Sequence, residues 1–128
     1  MNYNDLFRPE INRISMQSSA DEKKFVFRAT QCATKNTDWA PCDVYLIQNL
    51  SKDLFEIRLD SNNSMFFKLT NKKDHGADAK LATNVTFHAV DNDGDSYAID
   101  VQFEREGNKF IIITGSKLAV IFKVDFAN

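Results

Sequence analysis

From Phe25 to the end of the chain, apolar and polar side chains alternate with a period of two, as in strands that bury one face and wet the other. The pattern opens with Phe25, Phe27 and Ala29 set against Val26, Arg28 and Thr30. Val44 to Gln48, Leu54 to Asp60 and Met65 to Thr70 follow as strands. Their separators, Asn49-Leu50-Ser51-Lys52-Asp53 and Ser61-Asn62-Asn63-Ser64, are turn chemistry. A further strand carries Phe87, His88 and Ala89. The alternation is clearest where Tyr97, Ile99, Val101 and Phe103 oppose Ala98, Asp100, Gln102 and Glu104. Phe110 to Thr114 and Leu118 to Phe126 complete the series, the last presenting Leu118, Val120, Phe122, Val124 and Phe126 as one inward row. Asp93-Gly94 and Gly107-Asn108 are dipeptides that tolerate positive φ in tight hairpins, and Gly115-Ser116 joins the last two strands.

The N-terminal residues follow another period. Phe7, Ile11 and Ile14 stand at helical spacing with Pro9 suited to a first turn, which predicts a short amphipathic helix over about residues 8–17. A polar connector leads from it to residue 24.

The connections between strands are too short for parallel crossovers, which need a dozen or more residues, so neighbouring strands are expected to be antiparallel and sequential. The expected fold is mainly β: an antiparallel meander of about eight strands in one domain, residues 1–128, with residues 1–24 as helix and connector and 25–128 as sheet. One apolar face must be hidden by curling into a barrel, by splitting into two layers or by covering with the helix. A strongly curved sheet or barrel with the helix closing one end is the preferred arrangement, because eight short strands close around filled side chains.

Composition agrees with strands: eleven Phe, three Tyr and one Trp accompany many β-branched residues, with only four Gly and two Pro. Sixteen Lys and Arg against eighteen Asp and Glu give a formal charge of −2, without a basic block, which argues against nucleic acid as a partner. No apolar run has the length of a membrane helix, and the first residues have no signal-peptide pattern. The expected location is therefore cytoplasmic, with a secreted or periplasmic one open if a leader has been removed.

Few residues suggest chemistry. Cys32 and Cys42 bracket the mouth of a hairpin, across which a disulfide is geometrically open, the other reading being two unlinked thiols. Between them, Asp38 and Trp39 lie on a loop, where a large aromatic either anchors a partner or folds back to plug an open barrel end. The acidic turn Asp91, Asp93, Asp95 has a calcium-loop look. It places Gly94 at position four and Gln102 at position twelve, where an EF-hand needs Gly at six and Glu at twelve, so a hairpin turn is the better reading. His75 and His88 have no recognisable partners, and neither a nucleophile elbow nor a phosphate-binding glycine loop occurs. Lys72, Lys73 and Asp74 open a charged connection ending at Lys80, which is either a solvated loop or a partner-binding one.

No catalytic residue, metal site or cofactor is thus expected. The leading expectation is a non-catalytic protein-binding module, such as an inhibitor, immunity protein or assembly adaptor, that acts by occluding a partner with a basic surface. Its contact residues would be Asp38, Trp39, Lys72, Lys73, Asp74, Asp91, Asp93 and Asp95. The alternative is a carrier holding a small apolar ligand in a Phe-lined barrel cavity.

Overall fold

A computed structural model describes residues 23–60 and 62–127. Within them lie eight strands: β1 (Lys24–Thr34), β2 (Ala40–Asn49), β3 (Leu54–Asp60), β4 (Asn63–Asp74), β5 (Leu81–Val90), β6 (Ser96–Glu104), β7 (Lys109–Gly115) and β8 (Ala119–Phe126). The helix expected over 8–17 lies outside the described residues. Each strand pairs antiparallel with the next, and β8 returns to β1, pairing Phe27 with Phe126 and Thr34 with Val120, so the sheet closes into a barrel. Closure settles the choice that alternation alone left open between a barrel, two layers and a sheet covered by the helix.

The inward rows form one core. Phe27, Leu46, Phe55, Ile57, Phe67, Ile99, Ile111 and Ile113 are all 2% exposed or less, and burial of side chains this size stabilises by about 1.5–3 kcal/mol each. The outer wall carries a small second cluster of Val26 and Ile47 packed by Tyr45 and Ala127.

Bulges re-phase the rows. In β1 the register shifts between Ala29 and Gln31, so the inward series runs through Phe27 and Ala29 and resumes at Cys32, opposite Phe122. In β4 the shift falls between Leu69 and Asn71. Leu69 faces the buried Ala89, and Lys72, itself exposed, faces the buried Phe87, so Lys72 takes at the mouth the inward side that strict alternation would give to Asn71. β4 also continues to Asp74. The expected loop beginning at Lys72 is therefore corrected: Lys72, Lys73 and Asp74 are strand residues, held by pairing with Phe87, Thr86 and Val85.

A meander places successive connections at opposite ends. The upper end carries residues 35–39, 62, 91–95 and 116–118. The lower end carries 50–53, 75–80 and 105–108, together with the start of β1 and the finish of β8. Tyr97 fills the upper end from inside, edge-on to Phe67 at 5.0 Å and opposite Gly115. A Cβ at Gly115 would stand 2.2 Å from the Tyr97 ring, so the missing side chain makes room for the aromatic plug.

Candidate functional site

The lower end is built from the same alternation with a different outcome. Phe25, Phe27, Phe87, Phe103 and Phe126 reach it from four strands and, with Leu50, Val85 and Val101, line an open-mouthed cavity of about 180 Å³. The rings contact one another: Phe126 stacks on Phe27 at 5.0 Å and meets Phe103 edge-on at 5.7 Å. Phe25 and Phe126 are 41% and 47% exposed, so two large apolar rings form the rim rather than the floor. Lys109, paired with Phe103 and Val124 on the inward face of β7, brings its Nζ 5.6 Å from the centre of the Phe126 ring, a cation–π contact at the rim.

Three polar side chains complete the lining: Gln48, Lys72 and Thr83. Gln48 is only 5% exposed and continues the inward series of Val44 and Leu46 down β2. Thr83 is turned inward opposite Phe103 by a bulge between Leu81 and Thr83. A second hollow, bounded by Asp53, Leu69, Thr70 and Asn71, shares Leu50, Lys72 and Phe87 with the cavity. Among the described residues, the main lining includes no His, Cys or carboxylate. Such a lining can desolvate an apolar body and offer it hydrogen-bond donors.

The residues singled out in the sequence do not form one surface. Asp38 and Trp39 lie on the β1–β2 connection and the Asp91–Asp95 turn on the β5–β6 connection, both at the upper end but half a barrel circumference apart. Lys72, Lys73 and Asp74 belong to the lower end of β4. Trp39 is 46% exposed, with its ring 6.1 Å from that of Phe110 on the outer wall. It lies against the side of the barrel and does not plug its end, because Tyr97 already occupies that space.

The acidic turn is a hairpin turn, with Gly94 at φ +85°. Asp91 Oδ1 accepts the N–H groups of Asp93 and Asp95, each at 2.9 Å, and its Oδ2 accepts the Tyr97 hydroxyl at 3.1 Å. Burial pushes the Asp91 carboxyl up, but the Asp95 N–H, the Tyr97 hydroxyl, the Asp93 N–H and the Lys117 charge outweigh it and hold it below the usual carboxylate range. Burial and the bond to Asp91 raise the Tyr97 hydroxyl. The three carboxylates lie within 4.8 Å of one another, but Lys117 Nζ stands 2.7 Å from Asp95 and 3.2 Å from Asp93. Its bonds to Asp95 and Asp93 raise the Lys117 ammonium. A resident cation of the chain's own thus answers this cluster, and the charge left for a basic partner is reduced.

Cys32 and Cys42 are free, partly buried neighbours on β1 and β2. Burial, followed by the bond to Cys32, pushes the Cys42 thiol up to about 11, and it points at the Ala29 carbonyl 3.8 Å away. A thiol so held is a poor nucleophile at neutral pH.

His75 has a partner that sequence did not reveal: its Nε2 lies 2.8 Å from Thr86 Oγ1, which donates to Asp100 Oδ1 at 2.5 Å. The hydroxyl stands between imidazole and carboxylate, whereas nucleophilic catalysis needs the imidazole in the middle. His88 is exposed on the outer wall.

Gln48 and the rim residues Phe25 and Phe126 were not singled out in the sequence. The one available signal was a polar residue ending the apolar row of β2.

Compared with models of protein families and with curated proteins, the chain matches none. Among the described residues, no helix is long and apolar enough to cross a membrane.

Proposed function

We propose that the barrel is a non-catalytic binder of a small, largely apolar molecule, which enters through the lower end. The observation that carries this reading is the open cavity of about 180 Å³ faced by five Phe side chains. An apolar cavity of about 150 Å³ is enough to hold benzene, so the space suits a body near the size of one substituted ring. Small eight-stranded barrels either fill their interior or keep room for one ligand. Here Tyr97 fills the upper end and the lower mouth is open, and its exposed Phe rim is surface that a ligand would take out of water.

Two observations weaken the competing reading of a protein-binding module. The residues expected to touch a partner are divided between opposite ends, and Lys117 already pairs with the acidic turn. One observation still favours a protein contact: the half-exposed Trp39 beside Phe110 on the outer wall. The two readings separate on different faces of the molecule.

The test is a titration of the purified protein with toluene, indole and naphthalene, followed by amide chemical shifts. Saturable shifts clustered on Phe25, Gln48, Val85 and Val101, abolished by the cavity-filling Val101→Trp, are expected. Shifts that scatter over the barrel, or that persist in Val101→Trp, would remove the reading. Loss of a protein partner on Trp39→Ala would promote the other.

A further inference from the structure

The cavity is apolar in bulk, yet its polar side chains share one property. Gln48 is 95% buried, and among the described residues its side-chain amide has no hydrogen-bond partner. A buried amide is ordinarily satisfied, and an orphaned one aimed into a cavity marks a group that something else completes. Lys72 lines the same cavity from the inward row of β4, and among the described residues its ammonium is in no ion pair. The nearest acid on that row, Asp74, directs Oδ1 to the Gly76 N–H at 2.9 Å. Asp53 borders the adjoining hollow, not the cavity. Thr83 adds a hydroxyl.

All three groups can donate, and Lys72 can do nothing else. A neutral hydrocarbon would fill the space but leave the Gln48 amide unsatisfied, and a cation would meet Lys72 with no carboxylate in the lining to offset it. Resting on the reading of the barrel as a ligand binder, we infer that its ligand class is a small amphiphilic carboxylate: one ring or a short branched chain bearing a single anionic head. The apolar body lies among Phe27, Phe87 and Phe103, and the carboxylate accepts from Gln48 and Lys72. Gln48 is the buried partner, where low dielectric around the Phe rings strengthens its bond to the anion, and the exposed Lys72 meets the carboxylate at the mouth.

The experiment compares three probes of nearly equal shape, phenylacetate, phenylacetamide and ethylbenzene, by calorimetric titration at low and high salt. The full chain is used beside Lys72→Met, Gln48→Leu and Val101→Trp, each checked for unchanged β circular dichroism. The expected result is phenylacetate tighter than either neutral probe by roughly tenfold or more, the range of one charge-assisted bond. That preference falls with salt, disappears in Lys72→Met and shrinks in Gln48→Leu, while ethylbenzene binding by Gln48→Leu improves. Equal affinities in the wild-type protein, or a hydrocarbon preference, would overturn the carboxylate assignment and leave the ligand-binding reading standing. Binding of none of these probes, nor of toluene, indole or naphthalene, would remove both. A carboxylate preference undiminished in Lys72→Met and in Val101→Trp would place the anion elsewhere and overturn the assignment as well.

Discussion

At the upper end of the barrel, Tyr97 packs over the bare backbone of Gly115 and passes its hydroxyl to Asp91. At the lower end, five Phe surround space. Both ends are made by the same strands and the same inward rows. The difference lies in how polar groups are used: Asp91 receives three donors and Lys117 pairs with its neighbours, whereas Gln48 and Lys72 hold no such partners among the described residues. An end whose polar groups satisfy one another is a structural cap. An end whose donors are left over beside apolar surface is suited to receiving something.

That contrast can be broken at several points. The largest effect is expected from truncating rings at each end: Phe67→Ala, with its ring wholly buried, is expected to lose about 3–5 kcal/mol. Phe126→Ala, at the half-exposed rim, should lose about 1 kcal/mol while weakening ligand binding, as urea unfolding and titration together will show. Equal losses would mean that the lower rim is as structural as the upper cap.

Gly115→Ala comes next. The added methyl meets the Tyr97 ring at 2.2 Å, and relieving that overlap is expected to cost about 1–3 kcal/mol by urea unfolding, without effect on the lower cavity.

A smaller, pH-dependent effect belongs to Asp91. Its carboxyl is held below the ordinary value of 3.8, so its contribution is present above that pH and is lost as pH falls through the lower folded value. Melting temperature should therefore drop more steeply below about pH 4 in the wild-type protein than in Asp91→Ala.

The smallest effect is at Cys42. Its thiol is raised from 9.0 to about 11, so the corresponding stability is complete below pH 9 and declines as pH rises toward 11. Cys42→Ala should flatten that alkaline decline, and wild-type Cys42 should react with a disulfide reagent at pH 8 more slowly than a free thiol does.

Much of the fold was legible in the chain. The two-residue period of Tyr97 to Glu104, and turns such as Asp93-Gly94, fixed strand identity and sequential pairing, because both are local. The site was not legible for a related reason. Phe25 and Phe126 become neighbours, 6.5 Å apart, only after β8 reaches β1, and no local pattern announces that meeting. Lys72 comes to border the cavity, though it stays exposed, because of the bulge after Leu69, which reverses the parity that Met65, Phe67 and Leu69 set up. Trp39 is conspicuous by residue type, but its place beside Phe110 on the outer wall follows from tertiary packing that no local pattern encodes.

The ladder between β1 and β8 has a kinetic consequence. Every other strand pair joins neighbours in sequence and can form as a hairpin, while this one must bring together Phe27 and Phe126 across nearly the whole described chain. Its loop-closure entropy is met last, which puts folding among topologies that take on the order of milliseconds to seconds. Until then the nascent sheet has two unpaired edges, each able to accept a strand from another molecule. Once closed, the barrel has no edge to offer, so its danger of aggregation is concentrated in the interval before the first strand meets the last.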